Sequence, residues 1–146
     1  MKKTIKKIIF KNFFLSFLYS KVSSIVSLLL DGKYCKIVPY SDYWVHQFSF
    51  GLITYPNILF RPEKQLTIMY PVVFAAYVPK QNDIIIELGS GMGQETIAMS
   101  KMVGDNGLII AIEANPVIYQ RLIRNINFNQ LENVIPLNLA ISNSSE

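Results

Sequence analysis

Cysteine and histidine are almost absent from this chain of 146 residues, which holds one of each, Cys35 and His46. A single cysteine excludes an intrachain disulfide framework and any cysteine-rich zinc site. A single histidine excludes multi-histidine metal centres and any Ser-His-Asp triad not built on His46 itself, so no metal site is expected. Charge is sparse at 16% of residues, and residues 1–30 contain no acid at all. What the chain has in quantity is apolar: 51% hydrophobic and 12% aromatic residues can fill a core, which excludes wholesale disorder.

The net charge of +4 looks like a nucleic-acid signal until it is mapped. Lys2, Lys3, Lys6, Lys7, Lys11 and Lys21 put +6 on residues 1–30, while the other eight Lys or Arg face ten Asp or Glu, leaving −2. The body shows no basic face, and no nucleic-acid partner is expected. The apolar stretch Ile8 to Leu30 is interrupted by Lys11, Asn12 and Lys21, which disfavours both a membrane span and a cleavable signal. Val22, Ile25, Val26 and Leu29 recur at helical spacing with Ser23, Ser24 and Ser27 on other faces. Residues 1–30 therefore read as an amphipathic helical arm whose apolar face packs on the body. The alternative is peripheral adsorption on anionic lipid through the lysines, with Phe10, Phe13, Phe14 and Phe17 in the interface. The expected location is cytoplasmic, with membrane association belonging to that alternative.

Residues 31–79 form a variable middle region. After the Asp31-Gly32 turn, Lys33 to Val38 and Tyr43 to Phe50 read as two strands of a hairpin around Pro39-Tyr40-Ser41-Asp42. Gly51 to Arg61 reads as a loop or short elements, and Leu66 to Tyr77 as a helix begun or interrupted near Pro71. The aromatic cluster Tyr40, Tyr43, Trp44, His46, Phe48, Phe50 and Tyr55 is expected to be packing rather than a pocket wall. His46, with no carboxylate at a readable spacing, is expected to be a packed or surface imidazole, not a base.

Residues 80–146 carry the chemistry. Asp83 to Leu88, with three consecutive isoleucines, suits a strand buried on both faces of a parallel sheet. Gly89-Ser90-Gly91-Met92-Gly93 follows, then a helix over Gln94 to Met102. A second strand, Leu108 to Ile112, ends at Glu113. Asn115 caps and Pro116 opens a second helix to about Asn129, and a third strand runs over Val134 to Leu139. This alternation indicates an α/β fold with a parallel sheet and right-handed crossovers.

Glycines between strand and helix permit positive φ or close approach of a ligand to the main chain. The following helix aims its free N–H groups and positive dipole end into the same crevice, where an anionic group can be held. A dinucleotide G-x-G-x-x-G loop would require a small residue at position 94, where Gln94 stands, and no Gly-Lys-Ser/Thr closes a phosphate loop. Glu113, at the end of the second strand, is placed to accept two hydrogen bonds from a ribose diol. A nucleoside bearing an amino-acid carboxylate fits both features, and S-adenosylmethionine is such a molecule.

Glu87-Leu88-Gly89-Ser90-Gly91-Met92-Gly93-Gln94-Glu95-Thr96 and Ile112-Glu113-Ala114-Asn115-Pro116 resemble the first two motifs of class I S-adenosylmethionine-dependent methyltransferases. Leu122 to Ser142, with Asn125, Leu131-Glu132-Asn133-Val134 and Asn138-Leu139-Ala140-Ile141-Ser142, is similar to the FkbM family of that superfamily. The resemblance implies a Rossmann-like methyltransferase sheet preceded by an N-terminal helix and a β-hairpin. It also implies a cofactor site of Glu87, Gly89, Ser90, Gly91, Met92, Gly93, Glu113, Ala114 and Ala140. There Glu87 would meet the donor's ammonium group, Glu113 its ribose, and the loop near Ala140 its adenine. The implied reaction is O-methylation of a hydroxyl on a sugar or other small molecule, with no catalytic residue assignable.

Members of that superfamily continue beyond a third strand, so the chain is expected to be truncated there, with the Asp83–Leu88 strand left as an exposed edge open to self-association. The rival expectation is a non-catalytic remnant that binds the cofactor, or a membrane-associated interaction module.

Overall fold

The structure, a computed structural model, describes residues 13–40, 43–56 and 62–143. Lys2, Lys3, Lys6, Lys7, Lys11 and Phe10 of the arm, and Ser41-Asp42 of the expected hairpin turn, lie outside the described residues. The chain divides into two compact units. One comprises residues up to Phe48 with Thr54–Ala76, the other Ser49–Ile53 with Tyr77 onward.

In the first unit, helix α1 (Phe13–Asp31) packs on strand β1 (Lys36–Pro39). Strand β2 (Trp44–Phe48) pairs antiparallel with β1, from Lys36 opposite Gln47 to Pro39 opposite Trp44. The Tyr40 amide donates to the Tyr43 carbonyl at 2.9 Å, so the expected hairpin is present. Strand β3 (Gly51–Tyr55) follows β2 in the same sheet, and of it only Thr54 and Tyr55 belong to this unit. Its β-branched and aromatic residues suit a strand, but Pro56 behind them suggested a loop. Helix α2 (Pro62–Val73) begins before the expected start and carries Pro71 inside. Trp44, Phe48, Tyr55 and His46 are buried, as packing aromatics should be. The His46 ring stands edge-on to Tyr55 at 4.8 Å between centroids, and burial lowers its pKa to about 4.

Helix α1 overturns the expected burial of its apolar face. Val22, Ile25 and Leu29 are exposed, while Ser23, Ser24 and Ser27 are buried. The helix also runs unbroken through Lys21. Its segment Phe14–Asp31 has a mean hydropathy of 1.4, a length and composition that suffice to cross a membrane.

In the second unit, strands β4 (Ile84–Leu88), β5 (Leu108–Ile112) and β6 (Val134–Leu137) form a parallel sheet in the order β4-β5-β6. Helix α3 (Gln94–Val103) packs on β5, and helix α4 (Pro116–Phe128) packs on β6. Ile97, Val103, Ile109, Ala111 and Leu122 are fully buried and form the core between these layers. The Asn115 side chain caps α4 by accepting from the amides of Val117 and Ile118, as its sequence position predicted.

Strand β4 is not buried on both faces. Ile84, Ile86 and Leu88 are 71%, 62% and 63% exposed, because alternate side chains point away from the helical layer and β4 pairs only with β5 among the described strands.

The Ser49–Ile53 segment is fixed in this unit by Asn129. Its side-chain amide accepts from the Leu52 N–H at 2.7 Å and donates to the Leu52 carbonyl at 2.6 Å, imitating a neighbouring strand.

Candidate cofactor site

The parallel register sets Leu88 beside Ile112, so the loop after β4 and Glu113 after β5 emerge side by side at the carboxyl end of the sheet. The amides of Gly89 and Ser90 both donate to the Ile112 carbonyl, at 2.8 and 2.9 Å. That anchors the start of the loop to the end of the neighbouring strand. Ser90 is buried, with its hydroxyl directed at the Glu87 and Ile112 carbonyls.

All three loop glycines have positive φ, at 76°, 58° and 88°, a region that disfavours a Cβ. They do not share one role. A Cβ at Gly89 or Gly91 would meet nothing within 4 Å, whereas one at Gly93 would lie 2.7 Å from Leu122 Cδ1. Two glycines therefore leave main chain open to an approaching ligand, and the third lets α3 pack closely on α4. The cradle is narrower than three glycines at alternate positions suggest.

Glu113 is the centre of the site. Its Oε2 accepts from the Gly91 amide at 3.0 Å, and its Oε1 accepts from the Asn115 amide at 2.7 Å. A carboxylate has roughly four acceptor positions, so each oxygen retains capacity for a further donor. That capacity suits a vicinal diol. Asn138 then donates to the carbonyls of Glu113 at 2.7 Å and Ala114 at 3.2 Å. This bond brings the segment after β6 to the same end of the sheet, while Ala114 and Ala140 themselves are exposed.

Glu87, one residue before the end of β4, accepts a short hydrogen bond from the Thr96 hydroxyl. Burial pushes its carboxyl up to about 7, the Thr96 hydrogen bond pulls the other way, and the nearby Glu95 adds repulsion. Such a group gains from a cation placed beside it. Glu95 is likewise raised, by burial. Gly93, at the N-cap of α3, has no side chain to offer, and the acid in the first turn is Glu95, whose carboxylate accepts from its own main-chain amide.

Three residues that position the site had no assigned role in the sequence reading. Asn125 is fully buried and donates from Nδ2 to the Met92 carbonyl at 2.7 Å, which holds the middle of the glycine loop from α4. Its signal was a polar side chain on the face defined by Leu122 and Ile126. Thr96, fully buried, faces Glu87 one turn into α3. Asn138 is the third, and its pairing with strand ends left no local trace.

A sequence profile of the family described as protein-L-isoaspartate(D-aspartate) O-methyltransferase matches residues 36–140. The chain is 37% identical over 62 residues to a tRNA(Phe) (4-demethylwyosine(37)-C(7)) aminocarboxypropyltransferase of Methanocaldococcus jannaschii, covering 42% of this chain and 24% of that protein. The crystal structure of M. jannaschii TYW2 in complex with AdoMet superposes with a TM-score of 0.53 at 26% identity, over 68% of this chain and 44% of that one. P. horikoshii TYW2 in complex with MeSAdo superposes with a TM-score of 0.50 at 19% identity, over 83% of this chain and 48% of that one. The chain thus spans about a quarter of the curated relative and less than half of each solved structure. The fold is the Rossmann-like one of class I S-adenosylmethionine-dependent methyltransferases. Within that class, the profile match picks out this family rather than the FkbM group that the motifs resemble.

Proposed function

This chain belongs to the protein-L-isoaspartate(D-aspartate) O-methyltransferase family, and from that premise we propose that it binds S-adenosylmethionine and takes part in methyl transfer to an oxygen atom. The observation that carries the proposal is the Gly91–Glu113 hydrogen bond, which unites an open main-chain cradle with a carboxylate that has lone pairs to spare. In this reading Glu113 receives the ribose hydroxyls and Glu87 the ammonium group. Gly89, Ser90, Gly91 and Met92 border the methionine portion, and Gly93 opens the helix behind it. Ala114 and Ala140 flank the adenine. When bound, the cofactor supplies an electrophilic methyl group on a sulfonium centre.

Methyl transfer at such a centre is an in-line displacement governed by alignment of the acceptor. The residues assigned here hold the donor, and none is assigned to the acceptor. The family match supports a protein carboxyl oxygen as acceptor, and the FkbM-like stretch Leu122 to Ser142 supports a hydroxyl of a sugar or other small molecule. Oxygen is common to both. A cytoplasmic location belongs to the same proposal.

A second reading has a specific observation in its favour, the 37% identity to an aminocarboxypropyltransferase. A sulfonium donor can lose that group instead of methyl, and the donor contacts proposed above would serve either outcome. The net charge of −2 outside residues 1–30 weighs against an RNA acceptor.

Titration calorimetry with S-adenosylmethionine and S-adenosylhomocysteine tests the proposal, with one saturable site expected for each. Absence of heat with both overturns it. Product analysis then separates the readings. Methyl transfer leaves S-adenosylhomocysteine, aminocarboxypropyl transfer leaves methylthioadenosine, and saturable binding without turnover over a panel of oxygen acceptors supports the non-catalytic alternative.

A further inference from the structure

We propose that the outward face of α1 is a membrane-docking surface that lies in the plane of an anionic bilayer. The polarity of this helix is inverted. Every buried side chain described on it is a serine: Ser16, Ser20, Ser23, Ser24 and Ser27 are at most 5% exposed. On the other side, Phe14, Leu18, Val22, Ile25 and Leu29 are 70%, 51%, 49%, 52% and 76% exposed. Their spacing of three or four residues makes one continuous apolar stripe. A helix bathed by water on its outer side carries the reverse arrangement.

The inner face has the character of a helix interface in an apolar solvent, where small residues allow close approach to neighbouring protein. Two of its hydroxyls are satisfied by the helix's own main chain. Ser20 Oγ donates to the Phe17 carbonyl at 2.7 Å, and Ser24 Oγ donates to the Ser20 carbonyl at 2.9 Å. The adjacent helix α2, which touches α1, adds Ile68 and Val72 at 63% and 75% exposure.

Charge selects the partner. Lys2, Lys3, Lys6, Lys7 and Lys11 precede the stripe in sequence, Lys21 lies exposed within the helix, and residues 1–30 contain no acid. That combination of apolar face and uncompensated lysines complements anionic headgroups over an apolar interior. Because the serine face is buried and the helix packs on β1 of the same unit, the helix meets lipid along its side. A transmembrane orientation would require it to leave that strand.

The test is co-sedimentation of the protein with vesicles of phosphatidylcholine alone and of phosphatidylcholine with about 30% phosphatidylserine. The expected result is partitioning into the anionic vesicles that falls at least roughly tenfold in Leu18→Glu/Ile25→Glu/Leu29→Glu and in high salt. These positions are exposed, so the variant is expected to keep the parent's circular dichroism. A second variant, Leu29→Trp, preserves apolar character and is expected to be quenched by brominated acyl chains in anionic vesicles. Equal binding of the charged variant, equal binding to neutral vesicles, or no quenching of Leu29→Trp overturns the proposal. So does a stable dimer that shields Leu29→Trp from aqueous quencher without lipid, which would assign the face to a second copy. Protease protection consistent with a span also overturns it.

Discussion

The main-chain N–H of Gly91 donates to Oε2 of Glu113 across 22 residues of sequence, at 3.0 Å. One carboxylate thereby fixes the conformation of the glycine loop and presents its remaining lone pairs beside it. Glu113→Ala is expected to weaken binding of S-adenosylmethionine and S-adenosylhomocysteine by about 1 to 3 kcal/mol, the range for losing a hydrogen bond to a charged group. Calorimetry that returns the parent's affinity would remove Glu113 from the ribose site.

The loop glycines should separate by experiment. Gly93→Ala combines a φ of 88° with a Cβ only 2.7 Å from Leu122 Cδ1, so it is expected to destabilise the fold by about 2 to 4 kcal/mol. Gly91→Ala meets no atom and carries only the cost of its positive φ, about 1 to 2 kcal/mol. Equal losses in urea denaturation of the two variants would refute the division of roles.

Glu87 links the site to pH. Its carboxyl rises from 4.5 to about 7, so between those values the folded chain holds a proton that the unfolded chain releases. The resulting stabilisation is full below about 4.5 and is lost as pH rises through about 7. Glu87→Gln is therefore expected to be more stable than the parent at pH 8 by about 2 kcal/mol, allowing for partial exposure, with the gap closing toward pH 5. Binding of the donor's ammonium group should run oppositely, strengthening in the parent from pH 6 to 7.5 and staying flat in Glu87→Gln. Parallel profiles for the two proteins would exclude Glu87 from that contact.

His46 acts with the other sign. Burial lowers it from 6.5 to about 4, so its contribution to stability is present above 6.5 and is lost as pH falls toward 4. Trp44, the sole tryptophan, lies two residues away and reports on the same sheet. Followed by its fluorescence in denaturant, the parent should lose about 1 to 2 kcal/mol relative to His46→Phe between pH 7 and 5, a difference in which the opposing gain from Glu87 cancels. An identical loss would place the acid sensitivity elsewhere.

The second unit was largely legible in the sequence because its signals are local. An isoleucine run, a glycine loop and an Asn-Pro cap each sit within a few residues of the structure they specify. The expected strands and helices there agree with the observed ones to within two residues. What was not legible depended on partners distant in sequence. The burial of β4 could not be read from Ile84, Ile86 and Leu88, because exposure is decided by what covers a strand, not by its composition. The same holds for α1. The period of Val22, Ile25 and Leu29 revealed an amphipathic helix but not which side faces protein, and the serines took that side. Asn125 and Asn129 looked like ordinary helix residues until their main-chain partners at Met92 and Leu52 were visible. β3 was missed because a five-residue strand followed by Pro56 resembles a loop.

The Asn129 clasp on Leu52 has a consequence for biosynthesis. The two residues are 77 positions apart, so at ribosomal speeds of roughly 5–20 residues per second Leu52 emerges about 4 to 15 seconds before its partner exists. Throughout that interval the peptide groups of Leu52 have only water or transient partners. The C-cap residue of α4 is thus the latch that completes a strand begun much earlier in translation.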